Sequence, residues 1–573
     1  MNSIPWQTWF TDFFRFDPSN PIIFTSVIFW FFFAGVLIVD SFVYKQKPVR
    51  HFFLLLVSLF FYYKTSGFFF LLLLFTVTLD WSLARSIGST FNPKRKKWLL
   101  AASVISNLSI LFYFKYAYFF TDSYNSLFHT DFEVFNHLAH WSNSFFGTTF
   151  NADKIVLPVG VSFYTFQSMS YTIDVYRRKL MPLRRLSDYA FYVSFFPQLV
   201  AGPIVKASEF IPQMFRPYAL SRTMLGMGIF WILNGLIKKI FLADYIAVNF
   251  VDRIFKNPDM YSGFENLMAL YGYSLQVYAD FSGYTDIAIG VALLMGFTLS
   301  ANFNSPYKAA SVEDFWRRWH ISLSSWLRDY LYIPLGGNRA GSWATFIVVA
   351  VIILFITALS GTWWTLVLCA SVVGTLLILG YLIKSFSMWL VTNTNVMITM
   401  LLGGLWHGAS WNFIIWGGLN GIGLVFYKLW KKISPWEKGK SKWYGRAWGI
   451  LLTFHFITLT RVWFRAGSGT TWEDFEAVHD LDSEQDTATL ILKKVAQTDW
   501  TLAGDVIAGY WAVFSVMLAG FVIHWLPSSL KERYRKAFAA LPYWAIILCI
   551  LLTVVLIYQI LIADLHPFIY FQF

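Results

Sequence analysis

The stretch Trp364-Thr-Leu-Val-Leu-Cys-Ala-Ser-Val-Val-Gly-Thr-Leu-Leu-Ile-Leu-Gly-Tyr-Leu-Ile383 runs for 20 residues without Asp, Glu, Lys or Arg. A helix rises about 1.5 Å per residue, so about 20 apolar residues cross the hydrocarbon core of a bilayer. No water reaches the backbone there, and a helix satisfies its own peptide groups. The stretch reads as a transmembrane helix. Outward from it, similar runs recur at Pro21–Tyr44, Phe68–Ile87, Trp98–Phe120, Ile155–Tyr176, Met224–Phe250, Leu267–Leu299 and Trp343–Leu359. Further runs are Asn395–Ile415, Gly417–Trp430, Ala447–Phe464, Val506–Leu526 and Leu541–Ile562. The fold class is all-α and polytopic, with about 11–13 transmembrane helices. His51–Tyr63 and Tyr189–Val200 are too short to span alone and read as tilted or re-entrant segments.

Composition points the same way. Of 573 residues, 57% are hydrophobic and only 13% are charged, against roughly 25% in soluble proteins. This excludes a string of soluble domains, a disordered chain and a disulfide-stapled one. The two cysteines, Cys369 and Cys549, lie in apolar runs and leave no thiol-ligated metal site. The net charge of +13 arises from short clusters between apolar runs, as the positive-inside rule produces, and not from a basic stripe for nucleic acid. The clusters Lys45/Lys47/Arg50, Lys94 to Lys97, Arg177 to Arg185 and Lys428 to Arg446 are expected to be cytoplasmic. Thr121–Asp153, which has no Lys or Arg, and the acidic Thr470–Trp500 are expected outside. Residues 1–573 read as one membrane domain, with an acidic extracytoplasmic loop at 470–500. Met1 to Pro21 has no cationic region ahead of its apolar stretch and is not expected to be a cleaved signal.

Ten histidines occur. His51, His129, His137, His140, His479, His524 and His566 lie at run ends or in loops and read as solvated, and His455 as a satisfied core histidine. His407 differs. It stands inside the apolar run Asn395–Ile415, where an ionisable side chain is costly and usually functional. Gly404 and Gly408, four apart, are expected to share a helix face beside it and admit a neighbouring backbone. Trp406 and Trp411 are candidate cavity walls. A histidine that merely bridges two helices is the plainer alternative.

His320 lies in Ser311-Val-Glu-Asp-Phe-Trp-Arg-Arg-Trp-His-Ile-Ser-Leu-Ser-Ser-Trp-Leu-Arg-Asp-Tyr330. Read as one helix, Ser311 is the N-cap with Asp314 at N3. Trp316, Trp319, Leu323, Leu327 and Tyr330 follow the helical period as an apolar face. Arg317, Arg318, Ser324 and Arg328 take the polar side, with His320 on their flank. So basic an amphipathic helix reads as an interfacial or re-entrant element, or simply as a headgroup anchor. Asp280 and Asp286 are six apart, do not share a helical face, and read as polar packing or supporting groups.

Trp316 to Arg339 and Leu405-Trp-His-Gly-Ala-Ser-Trp-Asn412 resemble the two signature segments of membrane-bound O-acyltransferases, and more closely the bacterial branch that contains the alginate O-acetylation membrane subunit. Leu157-Pro-Val-Gly-Val-Ser-Phe-Tyr-Thr-Phe166, Phe195-Phe-Pro-Gln-Leu-Val-Ala-Gly-Pro-Ile204, Asp280-Phe-Ser-Gly-Tyr284 and Phe568-Ile-Tyr-Phe-Gln-Phe573 resemble the same branch. Thr470–Trp500 matches nothing in it.

The resemblance implies helices around a central tunnel and acyl transfer across a bacterial inner membrane. Cytosolic acetyl-CoA is the donor, nothing is permanently bound, and no metal is needed. An extracytoplasmic polysaccharide, such as an alginate-like exopolysaccharide or peptidoglycan, is the acceptor. The implied partner is a separate extracytoplasmic esterase-like acetyltransferase, since the chain has no Gly-x-Ser-x-Gly of its own. By resemblance His407 and His320 are the catalytic pair, and neutral imidazole suits a general base. Arg317, Arg318, Arg328 and Arg339 suit the phosphates of CoA. Trp319, Trp406, Trp411, Asn412 and Asp286 are assigned to the tunnel wall or second rank, with Asn412 or a backbone N–H as the oxyanion donor. Tyr570 is either an acyl carrier or part of a hydrophobic plug. D-alanyl transfer to teichoic acids is the alternative within the family. A transporter, which should show inverted repeats and midplane carboxylates, and a scaffold of polysaccharide export, which needs neither histidine, are the alternatives outside it.

Overall fold

A computed structural model of the chain describes residues 14–17, 21–146, 152, 154–200, 202–339, 341–434, 443–468 and 481–561. Among them every regular element is helical. The longest is Gly263–Leu294, 32 residues opened by a capping box: Ser262 Oγ accepts from Glu265 N, and Glu265 Oε2 accepts from Ser262 N at 2.8 Å. It is buried along most of its length. Glycine spacing explains its neighbour. Gly228 and Gly235 on Arg222–Leu236 are seven apart, as are Gly283 and Gly290, so each pair lies on one face. A Cβ on Gly235 would stand 2.4 Å from Gly283 O, and one on Gly290 would stand 2.5 Å from Gly228 O. Only glycine lets these backbones meet.

The same seam holds the carboxylates. Lys238 Nζ reaches Asp286 at 2.7 Å, and Lys239 Nζ reaches both Asp244 and Asp280 at 2.7 Å. Asp286 also accepts from Asn234 Nδ2 at 2.6 Å. Buried charges are tolerated when paired and hydrogen-bonded, and these bind the central helix to its partner.

Among the described residues, seven helices are long and apolar enough to cross a membrane, or nine if two sharply bent pairs each count as one span. The bent pairs are Trp500–Gly509 with Trp511–Trp525 (97°) and Ser528–Ala539 with Tyr543–Tyr558 (112°). Val27–Val43 and the helix beginning at Trp343 are apolar but shorter. The count falls below the expected 11–13 because two expected spans are these shorter helices and two others are interior helices. Ile155–Tyr176 is helical only from Val161, after a turn at Gly160 (φ 75°), and almost every residue of Val161–Tyr176 is buried. Leu267–Leu299 belongs to the central helix, enclosed by protein and therefore free to carry Ser, Thr, Tyr and Asp. At the opposite extreme, Trp363–Leu382 has no buried residue and presents most of its apolar surface outward. Thus the stretch that reveals the membrane class lies at the rim.

Other expectations change in detail. His51–Tyr63 is part of Lys47–Ser66, which continues past Gly67 (φ 60°) into Phe70–Ser89 as a single candidate span. Tyr189–Val200 folds as two short buried helices, Leu186–Ser194 and Phe196–Leu199. Arg50 is no loop charge: it is buried and forks onto Asp40 at 2.7 and 2.9 Å. His51 and His524 are buried rather than solvated; His51 Nε2 bonds Met214 O at 2.8 Å, and His524 Nε2 accepts from Tyr307 N at 3.2 Å. His455 is partly exposed and satisfied by Leu451 O on its own helix. The second half of the acidic 470–500 stretch is a helix, Leu481–Ala496, whose Ala488 and Ile491 join the core.

Candidate active site

His407 is the last residue of the helix Lys384–His407, not the middle of one. Gly408 is extended (φ −168°, ψ 159°), and Ser410 Oγ caps the next helix, Trp411–Ile433, by accepting from Asn412 N at 3.1 Å. Gly408 therefore does not share a helical face with Gly404. The close approach comes from Gly404 and Gly417, whose Cα atoms would each stand 3.1 Å from a Cβ on the other. This contact clamps the two helices where the chain breaks, and the break leaves His407 buried at a helix end.

The predicted single helix around His320 is also broken. Ser311 caps it as expected, with Asp314 N donating to Ser311 Oγ at 3.1 Å, but Val312–Arg318 ends there. Trp319 is extended, and His320 takes a left-handed conformation at φ 43° and ψ 57°. Ile321–Leu327 then resumes. Such a backbone is costly for a side chain larger than glycine, and surrounding structure must impose it. Asn302 does so: its carbonyl accepts from Ile321 N at 2.9 Å and its Oδ1 from Ser322 N at 3.2 Å. The turn swings His320 off the polar flank into the interior, where none of its surface is exposed.

The two breaks bring the histidines together. Their ring centroids are 6.4 Å apart with planes at 69°. Trp406 touches both, at 6.0 Å from His320 and 5.0 Å from His407. Phe281 of the central helix lies 4.6 Å from His320, and Trp416 and Phe464 lie 5.1 and 5.4 Å from His407. Behind Trp406, Phe166 stacks on it at 5.5 Å and on Trp326 at 3.8 Å. The site is an aromatic box around two imidazoles. Two hydrogen-bond donors beside it are buried with no acceptor among the described residues: Trp406 Nε1 and Asn302 Nδ2. An unmet buried donor costs about 1–3 kcal/mol, so each of these N–H groups can gain from a polar ligand atom.

The other expected residues are more dispersed. Trp319 lies under the Arg461 guanidinium at 4.4 Å, and Trp411 packs on Phe119 and Phe355. Asn412 is buried at the start of its helix, and Asp286 is held in the lysine seam. The arginines are at the surface. Arg317 pairs with Glu313, Arg318 with Asp314 at 2.9 Å, and Arg328 with Asp329 at 2.7 Å, while Arg339 is exposed. Burial works against it, yet the bonds from Arg328 and Lys206 hold the Asp329 carboxyl below the usual carboxylate range. Tyr570 lies outside the described residues.

Phe166, Phe281, Asn302, Trp416 and Phe464 escape a sequence reading because only the fold brings them to the histidines. Lys115 does carry a signal, as a cation inside the apolar run Trp98–Phe120.

The sequence profile of the membrane-bound O-acyltransferase family matches residues 178–359, which include His320. The chain is 35% identical over 393 residues to the probable alginate O-acetylase AlgI of Pseudomonas aeruginosa, covering 68% of this chain and 62% of that protein. It is 33% identical to a peptidoglycan O-acetyltransferase of Helicobacter pylori, covering 65% of this chain and 63% of that one. A teichoic acid D-alanyltransferase of Bacillus subtilis is more distant, at 28% identity over 52% of this chain and 66% of its own length. The chain thus spans about three fifths of the length of the O-acetylases it matches. Motif order, profile and relatives agree with a buried histidine pair set in a many-helix membrane body, and on these grounds the chain belongs to the membrane-bound O-acyltransferase family.

Proposed function

We propose that this chain is an O-acetyltransferase of the bacterial inner membrane that takes the acetyl group of cytosolic acetyl-CoA and passes it outward for O-acetylation of an extracytoplasmic polysaccharide. The observation that carries the reading is the approach of His320 and His407 within one aromatic box. The O-acetylase names of the more similar relatives favour acetyl over D-alanyl as the acyl group. An esterase-like protein outside the membrane completes the transfer, because the acceptor is a polymer and the histidines are buried.

In this reading a hydroxyl attacks the thioester carbonyl beside His407. The imidazole takes the hydroxyl proton, the C–O bond forms, and the C–S bond breaks as the tetrahedral intermediate collapses. The proton passes to the departing thiolate, so CoA leaves as the thiol. The intermediate's oxyanion would accept from Trp406 Nε1 or Asn302 Nδ2, which are among the buried donors without a protein acceptor. Asn412, buried in the first turn of Trp411–Ile433, is a further candidate for that role. Arg317, Arg318 and Arg328 fit CoA phosphates only by exchanging their present carboxylate partners. The test is acetyl-CoA turnover by purified protein, followed as released thiol. His407→Ala and His320→Ala should each lower the rate by about 10²-fold or more, the scale of general-base catalysis. Wild-type turnover in a folded His407→Ala variant would take His407 out of the chemistry, and no turnover by the wild type would leave a scaffold.

A further inference from the structure

The helix that carries His407 stops in the interior, so its last carbonyls have no partner within the helix. Solvent satisfies such groups at a surface, but within a membrane body the protein must supply the donors. Here they come from one π-helical turn, Phe112–Tyr116, in the apolar helix Pro93–Phe128. Tyr116 Oη donates to Leu405 O at 2.9 Å. Lys115 Nζ donates to Trp406 O at 2.6 Å and to His407 O at 3.3 Å. No carboxylate among the described residues pairs with Lys115, so its counter-charge is the negative end of this helix, equivalent to about half an elementary charge.

A hydroxyl suffices to cap one carbonyl, as Tyr116 shows, whereas an ammonium in an apolar span is expensive. The ammonium adds a fork that ties two consecutive carbonyls with one atom. Those carbonyls belong to Trp406 and His407, whose rings face His320 at 6.0 and 6.4 Å. Building on the acyl-transfer reading of this site, we propose that Lys115 is a positioning residue, fixing the last helical turn so that the His407 imidazole and the Trp406 indole meet the acyl group together.

The test compares acetyl-CoA kinetics of wild type, Lys115→Met, Lys115→Arg and Lys115→Gln, each first shown to be monodisperse. A misplacement of about 1 Å costs about 10²-fold in rate, so Lys115→Met should lose about that much in kcat with KM for acetyl-CoA unchanged. Lys115→Arg, which keeps charge and donors, should recover most of the loss. If Lys115→Met does not fold, Lys115→Gln, which keeps a donor without the charge, takes its place with an intermediate loss expected. Wild-type kcat in the Met or Gln variant overturns the proposal, as does a loss that appears only as raised KM. If wild type itself does not turn over acetyl-CoA, the acyl-transfer reading fails, and positioning is read without it. Diethyl pyrocarbonate labelling of His407, mapped by mass spectrometry, should then differ about tenfold between Lys115→Met and wild type, and equal rates reject the role.

Discussion

At the residue scale the decisive feature is one backbone conformation. His320 at φ 43° turns a basic amphipathic pattern inside out and points an imidazole at His407. Both histidines and the Ser311 cap are legible in the sequence, so the members of the pair can be named from it. The break cannot, because the apolar period runs on from Trp316 to Tyr330 and the residue that enforces the turn, Asn302, lies outside that pattern in the preceding loop. Trp406 tests the reading at this scale. Removing a single oxyanion donor costs about 10²–10³-fold in kcat. Trp406→Phe, which keeps the ring and its stack on Phe166, should fall in that range with little change in KM. A variant with undiminished kcat would show that the indole N–H has no part in the reaction and that Trp406 is only a wall.

At the element scale, glycines decide which helices touch. Gly404 and Gly417 lock the two helices that flank the His407 break, and Gly235 and Gly283 lock the central helix to its neighbour. Glycine-x-x-x-glycine spacing near His407 points to close approach, and close approach occurs there. The partners differ from those the spacing names, since the spacing requires a helix that continues through Gly408, and Gly408 is extended. A Cβ on Gly417 would meet Met400 O at 2.3 Å, a backbone atom that cannot swing away. Gly417→Ala should therefore push the helices apart and cost about 1–3 kcal/mol, the usual scale of overpacking. The check is unfolding of the purified protein in detergent, read together with acetyl-CoA turnover, because the same displacement moves His407. Stability equal to that of wild type would mean that the helix pair is not held by this contact. Gly374, with open space around its Cβ position on the outermost helix, is the control expected to tolerate alanine.

At the scale of the whole molecule, hydrophobic content and charge-free runs are enough to identify a polytopic all-α membrane protein. They do not distinguish a span in lipid from a helix enclosed by other helices, since both exclude water. Val161–Tyr176 and Gly263–Leu294 are of the second kind, and their polar residues, which interrupt the apolar runs of the sequence, form the interior against which the site is built. The buried lysine–aspartate seam belongs to that interior, while Arg317, Arg318 and Arg328, expected at the donor, stay toward the surface with carboxylate partners. The central claim is that the space between His320 and His407 is where the acyl group changes hands. The most direct measurement is a cryo-electron microscopy structure of the full chain with a non-hydrolysable acetyl-CoA analogue. The account predicts the acetyl carbonyl lodged between the two imidazoles, its oxygen toward Trp406 Nε1; an acetyl group seated elsewhere in the protein, with the histidine pair closed by packed side chains, would contradict it.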